Sequence, residues 1–532
     1  MSVAAGSLDE SARSSSGALP KRSLGGLIAI SIFWFALNFH WAALPLILLP
    51  SQVTGLLFRE APAGSQASQA AWVTGHSGLA LAVVVAPGLI VALLANPLFG
   101  LLSDRTPGRF GRRRPYVLAG TLVNVIGLAG MAFLPTLLVG SHSGNVLSPG
   151  LLALMGGLMV VQFANNSAAA PFHALLPDLV PEEQRGKASG IMGVAYWLGT
   201  IGGALVPTFF GFNSADLLKG AQDYATYQHG IVLGYAATAG VILLMAILTF
   251  TFVRERPWQS SMMSLEQRQG QRHTLRDLGL TLLALGAMIG VIILGTRLTG
   301  QSLNEDGMSY VQLIGVAIAS IGAIFAFDFR PRRNGDFTWV LVTRMLVMMG
   351  VYLVENFLQF YMRDVAHAPS PESATALFII LLTVAATAST LFGGWASDHI
   401  GRKRMVYISG SFMAVVGAVF VVAPFVVPDA ILPVAYVMGA IFGLGFGAYV
   451  SVDWALVADV LPSEETFARD MGIWNIGLTL PQVLAAVFGG WLLALGAATG
   501  NLSLGYTLLF ISLVIFCVLG TVTVRFIRGV KR

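Results

Sequence analysis

Apolar runs of about 20 residues recur along this chain, separated by polar or charged stretches. A helix of that length spans the hydrocarbon core of a bilayer, so a chain carrying many of them has few alternatives to a polytopic helical membrane protein. The runs lie at roughly 25–49, 77–101, 116–139, 149–174, 188–212 and 229–253, then 278–297 and 310–328. They continue at 338–362, 373–396, 405–426, 431–457, 470–495 and 503–527. Charge agrees with this reading. Asp, Glu, Lys and Arg make up 11% of the 532 residues, against about 25% in soluble domains, too few to cover a soluble surface. The net charge of +5 is therefore no sign of nucleic-acid binding, and its placement matters more than its size. One cysteine, Cys517, rules out an intrachain disulfide and argues against a Cys-based metal site. The first 22 residues are polar and Ser/Ala-rich, with no apolar stretch before a cleavage site, so the first helix is expected to serve as the anchor.

Between the second and third runs lies Gly100-Leu-Leu-Ser-Asp104-Arg105-Thr-Pro-Gly-Arg109-Phe-Gly111-Arg112-Arg113-Arg114-Pro115. It returns in shorter form as Gly394-Trp-Ala-Ser-Asp398-His-Ile-Gly401-Arg402-Lys403-Arg404. Two further stretches repeat in the same order: Ala174-Leu-Leu-Pro-Asp178 with Ala455-Leu-Val-Ala-Asp459, and Asn38-Phe39 with Asn356-Phe357. The chain thus reads as a duplication of six-helix halves in parallel orientation. With the N-terminus cytoplasmic, 26 of the 31 Lys and Arg residues fall in cytoplasmic segments. Arg59, Lys219, Arg297 and Arg363 fall outside and Arg344 within a span. Both repeat loops stay on one side only if 278–297 and 310–328 both cross or neither does, and each is long enough to cross. The expected organisation is an all-α membrane protein of fourteen spans, 6+2+6. It has a tail at 1–24, a first bundle at 25–253, a linker at 254–277, a two-helix insertion at 278–337, a second bundle at 338–527 and a tail at 528–532, with both termini cytoplasmic in a cell membrane.

The loop at 100–115 resembles the signature loop of the major facilitator superfamily. Its lengthened, Arg-rich form is similar to that of the glycoside–pentoside–hexuronide:cation symporters and the related sucrose/proton symporters. Asn165-Asn166 through Asp178 resembles the fourth helix and following loop of the sucrose carriers, which place an Arg where this chain has His173 and lack the inserted helices. The resemblance implies two pseudo-symmetric bundles that alternate access to a central cavity lined by the first and fourth helices of each half. It implies a monomeric carrier in the lipid bilayer, moving a small molecule together with a proton or sodium ion and using no cofactor.

Those four helices carry the densest polar content: Asn38 and His40; Gln162, Asn165 and Asn166; Glu355, Asn356 and Gln359; and Asp453. An ionisable group at membrane depth is costly and marks a functional site by default. Glu355, Asp453 and His40 are therefore candidates for proton coupling. Two bland readings stay open: Asp453 neutralised by Arg469 or Arg344, and His40 packed as a neutral hydrogen-bonding side chain. Asn38, Asn165, Asn166, Asn356 and Gln359 offer donor and acceptor together, as a polyhydroxylated ligand needs, although amides also bond helices to one another. Tyr196, Trp197 and Trp474, with Trp34, Trp41 and Tyr352, could stack on a sugar ring or simply anchor at the interface.

For gating, Asp104 and Asp398 are expected to accept hydrogen bonds from the N-termini of helices in the opposite half, Asp104 near Asp470-Met471. Arg112 and Arg402 are expected to pair with Asp178 and Asp459, and Arg185 belongs to the same group; Arg113, Arg114 and Lys403 read as topological anchors. Gly443-Leu-Gly-Phe-Gly447 reads as close helix packing. No phosphate-binding Gly-Lys-Ser/Thr loop or His/Cys metal spacing occurs, so neither ATP-driven transport nor an enzyme is expected. Three functions remain: proton-coupled symport of a sugar or glycoside with Glu355 as the coupling group, export of drugs or metabolites by antiport, and a membrane sensor without flux.

Overall fold

A computed structural model describes residues 21–106, 110–255, 273, 275–289, 291, 305–326, 335–460 and 467–528. Its helices are α1 (Leu24–Glu60), α2 (Gln66–Arg105), α3 (Arg114–Leu138), α4 (Pro149–Leu179), α5 (Glu182–Ala204) and α6 (Tyr224–Phe252). Then come α7 (Glu305–Ala326), α8 (Gly335–Asp364), α9 (Pro371–Ile400), α10 (Arg402–Val426), α11 (Ile431–Val460), α12 (Phe467–Ala498) and α13 (Leu502–Thr523). Among the described residues, twelve helices are long and apolar enough to cross a membrane. α7 is not one of them, since its apolar stretch is Tyr310–Gly322. The expected span 278–297 is helical over 275–289, and its end, 292–297, lies outside the described residues.

The duplication is visible in the packing. In the first half α1 packs on α5 and α6, α4 on α2 and α3, and α3 on α6. In the second half the equivalents recur: α8 on α12 and α13, α11 on α9 and α10, and α10 on α13. Across the halves α2 meets α12 and α5 meets α9, two contacts that the same pseudo-symmetry exchanges. Both repeat loops lie at one end of the bundle, here termed the loop face; the opposite end is the far face. The halves are closed at the far face, where Gly78 lies against Leu493 and Gly490 against Ala82.

Two local features shape the site. α1 carries a π-helical turn over Leu44–Leu48, with Pro45 at its second position. Proline has no N–H to return to the carbonyl four residues earlier, so the ladder is interrupted there and the turn widens, a device that recurs at functional sites. In the second half, a Cβ on Gly443 or Gly447 would collide with the carbonyl oxygens of Leu382 and Ala386, so the close crossing of α9 and α11 needs glycine at both positions, as read from the sequence. Gly447→Ala is expected to cost about 1–3 kcal/mol through overpacking, read as a lower melting temperature in detergent; an unchanged melt would mean that the crossing relaxes freely.

Candidate functional site

A cavity lies between the two halves beside the π-turn. Its lining comes from α1 (His40, Trp41, Leu44, Pro45), α2 (Val85, Leu89), α4 (Leu158, Gln162), α8 (Tyr352, Glu355, Asn356) and α12 (Gln482). The polar side chains of His40, Gln162, Tyr352, Glu355, Asn356 and Gln482 thus converge from four helices, in a setting otherwise largely apolar. Glu355 is half-buried, and among the described residues no cation stands within ion-pair distance of it. Tyr352 of α8 and Gln482 of α12 both line the cavity beside the carboxylate. His40 is 3% exposed and neither ring nitrogen has a hydrogen-bond partner among the described residues. The Asn356 amide nitrogen is likewise buried and unpartnered. Donors and acceptors left unmet in a dry site are costly unless something polar fills it, so the cavity has hydrogen-bonding capacity to spare.

On the first half an aromatic cluster lies outside the residues that line the cavity. Trp34 stacks on His173 with ring centroids 4.6 Å apart and planes at 9°. Tyr196 tilts against Trp34 at 6.4 Å and meets Trp197 edge-on at 4.7 Å. Tyr196 also lies within electrostatic range of Glu355.

Other expected ligand-binding residues are spent elsewhere. The amide of Asn38 donates to the Trp34 carbonyl of its own helix at 2.8 Å. Asn166 accepts from Asn96 at 3.1 Å and donates to the Gln162 carbonyl, so it fastens α4 to α2. Asn165 is 3% exposed, its Oδ1 has no partner among the described residues, and it is not among the residues that line the cavity. Trp474 is fully buried beneath the Arg344 guanidinium, 3.9 Å from its ring centroid, so its face is covered and cannot stack on a ligand in this structure. Asp453 is ion-paired with that same Arg344, and both side chains are 5% exposed; the Tyr449 hydroxyl stands 3.4 Å away. α11, which carries Asp453, contributes nothing to the cavity lining, so the expectation that the first and fourth helices of each half line it holds for α1, α4 and α8 only.

Gln359 belongs to a different constellation, a buried polar seam that joins the halves at the far face. Its amide donates to Ser51 Oγ at 2.7 Å and to Glu372 Oε1 at 3.2 Å. Ser51 Oγ and the Ser214 backbone N–H also donate to Glu372 Oε1, at 3.2 and 3.0 Å. Arg363 reaches across to Thr54 at 3.0 Å and Ser77 at 2.8 Å, and pairs with Asp364 at 2.5 Å. Neither Arg363 nor Glu372 was legible as a site residue. The first reads as one more charge beyond the membrane, and the second follows Pro371 in a helix's first turn, where a carboxylate ordinarily serves the helix dipole. Gln482 was also missed, a lone amide after Pro481 in an apolar run.

At the loop face each half makes its own ion pairs. Arg112 binds Asp178 with one guanidinium nitrogen 2.7 and 2.8 Å from the two oxygens, Arg113 reaches Asp104 at 2.5 Å and Asp178 at 3.2 Å, and Arg402 pairs with Asp459 at 2.5 Å. Both Arg–Asp pairs expected from the repeat are present, and Arg113 is an ion-pair partner as well as a charge marker. Glu255 accepts from the backbone N–H groups of Arg112, Arg113 and Arg114, capping the start of α3. Arg185 donates to the Val180 carbonyl at 3.4 Å. The side chains of Asp398, Asp470 and Met471 lie outside the described residues.

Two family models match. One, described as an MFS/sugar transport protein, covers residues 71–271; the other, described as the Major Facilitator Superfamily, covers residues 340–532. Among similar proteins, the sucrose transport protein SUC4 of Arabidopsis thaliana is 35% identical over 106 residues, 18% of this chain and 20% of that one. Proton-associated sugar transporter A of Homo sapiens is 29% identical over 181 residues, covering 32% and 22%. The matched part thus spans about a fifth of the length of either relative. An uncharacterized symporter of Synechocystis is 21% identical over 445 residues, 77% of this chain and 76% of that protein. Among solved structures, a D-xylose-proton symporter superposes with a TM-score of 0.60 at 17% identity, over 96% of this chain and 99% of that one. A peptide transporter in complex with sulfate gives 0.63 at 13%, over 97% and 98%.

Proposed function

Because this chain belongs to the major facilitator superfamily, a family of transporters rather than enzymes, we propose that it is a secondary active transporter that carries a sugar or glycoside together with a proton. The observation that carries this reading is the inter-bundle cavity. It joins one carboxylate with no ion-pair partner among the described residues, Glu355, to the side chains of His40, Gln162, Asn356 and Gln482. Glu355 is the coupling group, and its partners offer the mixed donors and acceptors that sugar hydroxyls require. Trp41 and Tyr352, which line the cavity, supply the apolar face against which a ring lies. In the state seen here the far face is shut and each half holds its charged loop by internal ion pairs. Alternating access then means opening the far seam while α2 and α12 part.

Two arguments support fourteen crossings. Gly315 of α7 faces Leu285 and Met288, and Gly322 faces Thr281, so α7 and the preceding helix run antiparallel, as two successive crossings must. Gln312 donates to the Val83 carbonyl at 2.9 Å and Gly315 faces Ile90, so α7 also runs parallel to the spanning helix α2. The distribution of Lys and Arg supports placing both termini on the cytoplasmic side.

Proteoliposomes test the whole reading. With a panel of mono- and disaccharides, at least one sugar is expected to drive proton movement. Sugar flux that follows sodium instead would reassign the coupling ion. Silence across the panel would overturn sugar symport, with export of lipophilic cations pointing to antiport and ligand binding without flux to a sensor.

A further inference from the structure

We propose that Glu372 is a second proton-binding site, which takes up its proton as the far face closes and so latches the two halves together. The inference rests on the transport reading only for its place in a cycle; the geometry stands alone. Glu372 is fully buried. Its Oε1 accepts three hydrogen bonds, all from neutral donors: Ser51 and Ser214 of the first half and Gln359 of the second. Its Oε2 is buried and has no partner among the described residues, and neither does the nearby Gln359 Oε1. An ionised carboxylate would therefore crowd three donors on one oxygen and leave the other bare in a dry seam, an arrangement that offsets only part of the desolvation. A proton on Oε2 removes the charge and turns that oxygen into a donor.

The charged and titratable groups around it do not supply the missing compensation. Arg363 of α8 is within electrostatic range, but it pairs with Asp364 and donates to Thr54 and Ser77. Asp364 in turn accepts from the Tyr506 hydroxyl of α13 at 2.6 Å. Tyr227 of α6 donates to the Ser51 carbonyl at 2.7 Å. Asp216, beside Ser214, is held by Asn213 at 2.7 Å. When the halves part, Ser51 and Ser214 leave with the first half and water reaches Glu372, so the open state favours the ionised form and the closed state the neutral one. Proton uptake and closure are then one equilibrium.

The test uses the full chain in nanodiscs without substrate. Spin labels at Lys219→Cys and Asp429→Cys, exposed far-face positions on opposite halves, report the separation; the native Cys517 is buried. Lowering the pH from 8 to 5 is expected to raise the closed-to-open ratio, by at most about tenfold per pH unit for one coupled proton. Glu372→Gln keeps the volume, accepts the same three hydrogen bonds and donates where the proton would, so it is expected to stay closed across the range. Glu183→Gln, which removes an exposed carboxylate at the loop face, is expected to keep the wild-type response, which separates the latch from a general effect of surface charge. Ser51→Ala, which weakens the closed state without removing the carboxyl, is expected to lower the ratio and keep its pH dependence. A wild-type ratio that does not move with pH, or a Glu372→Gln protein that titrates like the wild type, overturns the proposal. Neither result depends on which sugar, if any, the protein carries.

Discussion

Glu355→Gln is expected to abolish accumulation while leaving exchange intact. One proton crossing 100 mV is worth about 2.3 kcal/mol. At about 1.4 kcal/mol per tenfold change, that sustains a substrate ratio of roughly fiftyfold across the membrane. Glutamine keeps the length, volume and hydrogen-bonding capacity of the side chain but cannot give up a proton, so the cavity should still bind and still reorient. The ratio reached by reconstituted protein at an imposed potential is then expected to fall from as much as about fiftyfold to about one, the full worth of the coupled proton. Counterflow of labelled for unlabelled sugar, which moves no net charge, should proceed. Accumulation that survives in the variant would remove Glu355 as the coupling group and move attention to His40, whose two unpartnered ring nitrogens line the same cavity. Loss of counterflow as well would mean that Glu355 holds the substrate and not only the proton.

Why Glu355 was legible and Glu372 was not is a matter of what each position means without its neighbours. A carboxylate about two turns inside an apolar run is costly there and stands out as a functional-site candidate. A carboxylate in the first turn of a helix has an ordinary reason, and only the arrival of Ser51 and Ser214 from the other half turns it into a buried group. The duplication was legible because charge and motif repeat in order, and the packing then pairs the same helices in each half. The amides were legible as polar residues at depth, but not in their direction. Whether Asn38 faces a cavity or its own backbone is decided by rotation about the helix axis and by rotamer, neither of which a period of polar residues resolves. Trp474 failed for a related reason: Arg344 arrives over its face from α8, and no spacing within the run at 470–495 announces it.

The Arg344–Asp453 pair carries the other large expected effect, and it decides which bland or functional reading of Asp453 holds. Both side chains are 5% exposed and paired directly, with Trp474 beneath the guanidinium and Tyr449 beside the carboxylate. Asp453→Ala leaves a buried guanidinium uncompensated and is expected to cost about 3–5 kcal/mol, a marked loss of thermal stability in detergent. Arg344→Met combined with Asp453→Leu removes both charges and fills the space, so it is expected to recover most of that loss, as buried pairs replaced by apolar residues commonly do. The recovered double variant then separates structure from coupling. If Asp453 only neutralises Arg344, the variant accumulates sugar to the wild-type ratio, because the proton travels on Glu355. If it folds, exchanges sugar and no longer accumulates it, then Asp453 belongs to the coupling pathway and Arg344 is the cation that sets its charge state through the cycle.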